Sequence, residues 1–193
     1  MANNVFANQT IKHENPEQIK ILAQLLDGPV NELASFLADR EITDDELDRN
    51  IMCEVFGAKW IQIEECEETD SNEIILMTTT AWSHPIEFWE HLEMKGFSID
   101  ANYEDEMPNF FGQYSTEDGD DYVDTSDMYE AIDETVENFE SDIKETSDYN
   151  NAMYEECVDA AVEAVGNCSD FNRETIERLV ENYLDFQDHY IGE

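Results

Sequence analysis

The segment 73-EIILMTTTAW-82 carries the strongest strand signal in the chain, because Ile and Thr are frequent in it and β-branched residues favour strands. Ser83-His84-Pro85 follows directly and is predicted to cap a helix that Gly96 ends. The apolar residues of that helix are Ile86, Phe88, Trp89 and Leu92. A strand that leads through a short cap into a helix is therefore the centre of the predicted domain.

Strand and helix signals alternate in the residues before this segment. Residues 4–12 are predicted to form a first strand, and Asn15-Pro16 opens a helix with Asn15 as cap and Pro16 at the first helical position. Gly28-Pro29 ends that helix. The further predicted elements are a short helix with Leu33, Phe36 and Leu37 inward, a helical turn at 43–47, and strands at 52–56 and 60–63.

After this segment, residues 97–103 and 110–114 are predicted to be strands, and no strand pattern follows residue 116. Three later segments have apolar residues at helical spacings: Tyr129 to Ile143, Met153 to Val165, and Ile176 to Tyr190. The prediction is an α+β fold. Residues 1–116 form an antiparallel sheet with helices on one face, and residues 117–193 form an acidic, all-helical extension packed on it.

Several short motifs within residues 1–116 match a known family pattern. They are Met1-Ala2-Asn3-Asn4, Phe56-Gly57-Ala58-Lys59-Trp60, Thr80-Ala81-Trp82-Ser83-His84-Pro85, and Tyr103-Glu104 followed by Phe111-Gly112. On these residues the first part resembles the Api-like family of phage and mobile-element proteins, although Ala58 stands where that family usually has Thr. The resemblance implies a ferredoxin-like core and a phage origin. It implies no catalytic activity, and the helical part has no counterpart in it.

Charge is the unusual feature of the composition. The 193 residues include 49 Asp and Glu against 9 Lys and Arg, a net charge of -40. Ordinary domains balance the two signs, and solubility requires only a few net charges. Direct binding to nucleic acid or to anionic membranes is disfavoured. Because 41% of the residues are apolar and 11% aromatic, the chain is nevertheless expected to fold around a core.

Signals for catalysis, metal binding and export are weak. Residues 118–124 resemble a calcium loop, but Tyr122 and Val123 stand where an EF-hand requires an oxygen ligand and glycine. His84 and His91 are predicted to be surface or capping residues, and Trp60, Trp82 and Trp89 to lie in the core. No signal peptide or membrane span is predicted, so a cytoplasmic location is expected. No catalytic residue, cofactor or metal site is predicted.

The carboxylates of the helical part recur at spacings of three and four, which places each set on one helix face, opposite the apolar residues. The first acidic row is Asp127, Glu130, Asp133, Glu134, Glu137 and Glu140; the second is Glu156, Asp159 and Glu163; the third is Glu174, Glu177, Glu181, Asp185 and Asp188. Within a row the acids are about 4.5–6 Å apart along the axis. Because duplex DNA presents one phosphate per about 1.7 Å, we predict that these rows imitate phosphates.

The favoured function is a phage-type DNA mimic that occupies the basic nucleic-acid-binding groove of a host defence protein, such as a restriction or CRISPR effector. The partner is then a basic DNA- or RNA-binding protein, and a homodimer would extend the mimic along a longer groove. The alternative is an acidic chaperone or assembly factor for a basic nucleic-acid-binding protein. A halophile's housekeeping protein and an enzyme are the less favoured readings.

Overall fold

The computed structural model describes residues 3–70, 72–138, 147–166 and 170–191, with side-chain exposure given for 3–69, 72–138, 151–166 and 172–184. Within these residues the fold is α+β, with six strands in one antiparallel sheet and seven helices. The elements in chain order are β1 (Asn4–Lys12), α1 (Pro16–Leu26), α2 (Val30–Ala38), α3 (Arg49–Phe56), β2 (Ile61–Asp70), β3 (Glu73–Ala81), α4 (Ile86–Met94), β4 (Ser98–Asp105), β5 (Phe110–Ser115), β6 (Gly119–Asp124), α5 (Ser126–Asn138), α6 (Ser147–Val165) and α7 (Asp170–Ile191).

The sheet has the order β2-β3-β1-β4-β5-β6. β1 pairs antiparallel with both β3 and β4, and β3 pairs antiparallel with β2. The strand predicted most strongly, β3, therefore lies beside the first strand of the chain. Helices after β1 and after β3 connect the first four strands, an arrangement compatible with a ferredoxin-like topology. That finer classification stays a prediction.

Alternating burial along the central strands shows that one face of the sheet is covered. The buried side chains of β1 are Val5, Ala7, Gln9 and Ile11. Gln9 is accommodated in the core because its polar atoms are paired: Trp89 Nε1 donates to Gln9 Oε1 at 2.6 Å, and Gln9 Nε2 donates to Thr78 Oγ1 at 2.8 Å. A buried polar group costs little when it is hydrogen-bonded, so this neutral network joins β1, β3 and α4 within the core.

The chain divides into two compact units. The first comprises Met1–Pro108 and Gln113–Asp120, and the second comprises Asn109–Gly112 and Asp121–Glu193. Strands β5 and β6 each contribute residues to both units. The prediction had placed the division at residue 116, close to the turn between these two strands. From Ser126 on, the described chain is helical, as predicted for the extension.

Residues 52–56 are helical, so the prediction of a strand there is wrong. The sequence MCEVF resembles a strand because Val and Phe favour extended structure. Local capping nevertheless favours a helix: Asp48 Oδ1 accepts the amides of Asn50 and Ile51, and Gly57 ends α3 with a left-handed φ of 73°. Met52, Val55 and Phe56 are buried at helical spacing, which confirms the correction.

A strand also forms where none was predicted, at β6. Its sequence, GDDYVD, is rich in Asp and Gly, which are depleted in strands. Gly119, with a φ of 81°, follows the turn at 116–118, and β6 pairs with β5. Pairing with an existing strand outweighs the weak local propensity.

Trp82 is exposed, which corrects its predicted place in the core. Trp89 is fully buried, but Trp82 is 62% exposed. β3 ends at Ala81, and the positive φ of 78° at Trp82 takes this side chain out of the strand alternation. Of the predicted cap Ser83-His84-Pro85, Pro85 is the residue at the start of α4, and no side chain makes a capping hydrogen bond there. Ser83 Oγ instead donates to the Gly57 carbonyl at 2.5 Å.

We expect Asp48→Ala to lower the free energy of unfolding by about 1 kcal/mol, because two amides at the start of α3 lose their acceptor. Chemical denaturation followed by circular dichroism measures this change. Asp45→Ala, which removes the same charge from an exposed turn position, serves as the control. Equal losses for the two variants would contradict the assigned cap.

Candidate functional site

The acidic helices α5, α6 and α7 are organised around an apolar core of their own. That core consists of Phe111, Val123, Met128, Ile132, Cys157, Val158, Ala161, Ile176, Leu179 and Val180. Residues from β5 and β6 belong to it, so the helices are anchored to strand residues of the same unit. Asn172, fully buried, adds a polar tie, because its Nδ2 donates to Asp121 Oδ2 at 2.9 Å. A packed core of this kind holds the opposite helix faces toward solvent.

The structure places nearly all of the described predicted acids on the surface. The exposed ones are Asp127, Glu130, Asp133, Glu134 and Glu137 on α5, Glu156, Asp159 and Glu163 on α6, and Glu174 and Glu181 on α7. Glu177 is half-buried. Asp185 and Asp188 belong to α7, but their side chains are outside the described part, and Glu140 lies outside the described residues altogether.

A groove between α5 and α6 brings members of the first two rows together. It has a volume of about 730 Å³, and its carboxylates come from Glu134, Glu156 and Glu163. The other lining residues are small or uncharged: Ala131, Thr135, Asn138, Ala160 and Ala164. The groove thus combines alanine methyl groups with acidic walls. Such a surface suits a long cationic side chain, whose alkyl stem is apolar and whose head is charged.

Among the predicted acids that the structure describes, Asp133 and Glu177 have side-chain partners within the helical unit. Tyr183 donates its hydroxyl proton to Asp133 Oδ1, and Arg173 Nε lies 3.2 Å from Glu177 Oε1 one helical turn away. The Arg173–Glu177 pair is surface-exposed, so it contributes little stability. It nevertheless neutralises part of the third row. The third row therefore carries less net negative charge than its acids alone would give.

Basic residues are distributed unevenly over these helices. The sequences of α5 and α6 contain no Lys or Arg, whereas α7 contains Arg173 and Arg178. The acids of α5 and α6 consequently raise a negative potential that no basic side chain of their own helices offsets.

Tyr154, on α6, lies close to carboxylates of α7. Its hydroxyl lies 3.4 Å from the Glu177 carbonyl oxygen. Burial, together with the charges of Glu177 and Glu181, raises the pKa of Tyr154 above its ordinary value. The carboxylates of α7 therefore act on a side chain of α6, and the fields of neighbouring helices combine.

A second polar cluster, absent from the sequence-based prediction, lies in the first unit. His84 is 9% exposed, stacks on Tyr103 with ring centres 4.0 Å apart, and places Nε2 3.1 Å from Asp120 Oδ2. Tyr103 donates to Asp120 Oδ1 at 2.6 Å. The prediction of His84 as a surface or capping residue is wrong. Residues 84, 103 and 120 are far apart in sequence, so no local pattern could have revealed the cluster.

The cluster holds Asp120 ionised. Burial disfavours the carboxylate, but hydrogen bonds from His84 and Tyr103 and the charge of His84 outweigh it, so the pKa of Asp120 lies below its ordinary value. The geometry joins β4, β6 and the segment before α4. We assign it a stabilising role, because its hydrogen bonds tie these three parts of the first unit together.

The described residues also bear on metal and membrane binding. In this part of the chain, His, Cys, Asp and Glu side chains form no group of three that could hold a metal ion. None of the helices that the structure describes has the length and apolar character needed to cross a bilayer.

Comparisons of this chain with protein-family models, curated proteins and solved structures found no match. The resemblance to the Api-like family therefore stays a prediction.

We expect Asp120→Asn to lower the free energy of unfolding by about 1 kcal/mol at pH 7. This figure is reduced because Asp120 and His84 are partly exposed to solvent. Because the folded pKa lies below the unfolded value of about 3.9, the ionised carboxylate stabilises the fold above that pH. This stabilisation is lost as the pH falls through the folded pKa. Denaturation from pH 7 to pH 2 should show the difference from wild type shrinking.

The control for this experiment is Glu117→Gln, which removes a charge from the exposed turn beside β6. It should change stability by less than about 0.5 kcal/mol. A difference between Asp120→Asn and wild type that stays constant down to pH 2 would contradict the role given to the ionised Asp120.

Proposed function

We propose that the protein is a DNA mimic that binds the basic nucleic-acid groove of a host defence protein and thereby keeps DNA out of it. The observation that carries this proposal is the exposure of carboxylates on α5, α6 and α7 around a shared core. The acids are held by packed helices rather than by a flexible tail, so a partner would meet them in a defined arrangement.

The charge density supports the proposal. Acids three or four residues apart recur every 4.5–6 Å of helix axis, at about 1.5 Å rise per residue. Three such rows taken side by side correspond to one charge per about 1.5–2 Å, against one phosphate per about 1.7 Å of duplex. Like charges at these spacings cost each helix a few tenths of a kcal/mol. A surface selected for stability alone would intersperse Lys and Arg among them.

The groove between α5 and α6 is the best candidate for an anchoring contact. An Arg or Lys of the partner could lay its alkyl stem on Ala131, Ala160 and Ala164 while its head approaches the carboxylates. Arg would be preferred, because its guanidinium can donate to two carboxylates at once. Side chains that normally hold phosphates would thus find acceptors of the same charge.

The proposed cellular location of the protein follows from the location of its proposed partner. A defence nuclease such as a restriction or CRISPR effector works in the cytoplasm of the host cell, so we place the protein there. The predicted Api-like resemblance, with its phage origin, fits this setting. We propose no catalysis, cofactor or direct nucleic-acid contact for the protein.

Purified restriction and CRISPR nucleases are expected to be retained on the immobilised protein at low salt and released at high salt, because counterions are exchanged on binding. The triple variant Glu134→Gln, Glu156→Gln and Glu163→Gln should weaken binding of a retained nuclease by about tenfold. Surface plasmon resonance at two salt concentrations measures both effects. If no nuclease is retained even at low ionic strength, the proposal fails.

The matched control is Glu41→Gln, Asp45→Asn and Glu54→Gln, which removes the same number of charges from exposed positions of the first unit. It should weaken binding by less than about threefold. Duplex DNA should displace the protein from the nuclease. Failure of DNA to compete would instead favour the alternative function, an acidic chaperone that binds its partner outside the DNA groove.

Ionic strength is also expected to change the stability of the protein itself. Screening lengths fall from about 30 Å at 0.01 M salt to about 8 Å at 0.15 M, which weakens repulsion among the carboxylates. We expect the protein to be folded in dilute buffer, with Tm rising by about 5 °C over this range. Circular dichroism tests this. If the protein is unfolded in dilute buffer, the result would favour the hypothesis of a halophile's housekeeping protein.

A further inference from the structure

The face of the sheet opposite the buried side chains is open to solvent, and we call it the open face. It is formed by Phe6, Asn8 and Thr10 on β1, Met77 and Ile75 on β3, Gln62, Glu65 and Glu67 on β2, and Glu104, Asn102 and Asp100 on β4. Thr79, which is opposite Phe6 and Gln62, is on the same face but is buried. These residues share one face because side chains directly opposite each other in neighbouring strands point the same way.

An apolar strip crosses the middle of the open face. Phe6, Met77 and Ile75 are 49%, 40% and 41% exposed. Phe6 pairs with Thr79 and Asn8 pairs with Met77, so Phe6 and Met77 are diagonal neighbours, and Ile75 follows Met77 on the same face. Three large apolar side chains in one contiguous strip differ from the singly scattered apolar residues that are normal on a surface.

Carboxylates border this strip on both sides. On β2, Glu65 is opposite Met77 and Glu67 is opposite Ile75. On β4, Glu104 is opposite Phe6 and Asp100 is opposite Thr10. An apolar centre within a charged rim is the usual anatomy of a protein–protein interface.

We propose that the open face is a docking surface for a protein whose contact region has an apolar centre and a Lys- or Arg-rich rim. Charge complementarity selects this occupant. A second copy of this chain would bring two sets of the same four carboxylates together, and like charges facing each other across an interface oppose binding. This surface belongs to the first unit and is built from β1 to β4, so the inference goes beyond the proposed function of α5 to α7 and does not depend on it.

A pair of synthetic peptides tests the chemistry of the surface. One is an amphipathic helix of Leu and Lys, and the other has every Leu replaced by Ser, so the charge is the same. Isothermal titration should show wild type binding the Leu/Lys peptide at least about tenfold more tightly. The variant Phe6→Thr, Ile75→Thr and Met77→Thr should lose this preference, because Thr retains strand propensity but removes the apolar strip.

Two control variants test whether the preference for the Leu/Lys peptide depends on the open face. The variant Ile21→Thr, Met94→Thr and Met107→Thr removes three exposed apolar side chains from elsewhere in the first unit and should keep the preference. The groove variant Glu134→Gln, Glu156→Gln and Glu163→Gln should also keep it, which separates this test from that of the proposed function. Circular dichroism verifies that each variant is folded.

Equal affinity of wild type for the two peptides would overturn the proposal. A preference for the Leu/Lys peptide that survives in the folded variant Phe6→Thr, Ile75→Thr and Met77→Thr would overturn it as well. Loss of the preference in the groove variant would move the binding site to the helices and would equally overturn it. Weaker binding of the Leu/Lys peptide after Glu65→Gln, Glu67→Gln, Asp100→Asn and Glu104→Gln would support the role of the acidic rim.

Discussion

Repulsion among like charges is the constraint under which the whole structure is built. With a net charge of -40 on 193 residues, the compact state brings carboxylates closer than they would be in an extended chain. The repulsion between any two exposed carboxylates lowers the free energy of unfolding only slightly. The many such pairs together are nevertheless large compared with the small net stability of a typical domain. The fold therefore has to offset a repulsion that most domains do not carry. It does so by burying apolar residues and leaving nearly all carboxylates of the described part at least partly exposed.

The two units meet this constraint in different ways. In the first, a neutral hydrogen-bond network of Trp89, Gln9 and Thr78 occupies the core, while Asp120 is tied to His84 and Tyr103. In the second, apolar residues from three helices and two strands hold the helices together, and burial raises the pKa of the Cys157 thiol to about 11. That thiol is accordingly protonated and acts as a small apolar side chain. In both units, these groups are neutral or paired.

The acidic helices and the open face, although they belong to different units, would select the same kind of partner. On α5 and α6, carboxylates surround alanine methyl groups, and on the sheet they border Phe6, Met77 and Ile75. Charge brings a basic protein to the surface quickly, and apolar contacts retain it once water has been excluded. A protein acting by charge alone would bind many basic proteins weakly. The apolar strip is the feature that could make binding specific.

Local signals in the sequence were sufficient for β3, the capped start of α1, the helical character of the described extension and the exposure of most described acids in the three rows. Each of these depends on spacing or capping within a few residues. They were misleading at α3, where an Asp cap with a glycine stop outweighed strand propensity. They were also misleading at β6, where pairing with β5 outweighed a sequence poor in strand-forming residues. The groove between α5 and α6, the His84–Asp120–Tyr103 cluster and the open face were decided by tertiary structure alone. Each joins residues distant in sequence, and their proximity is a result of packing and strand register that no local pattern contains.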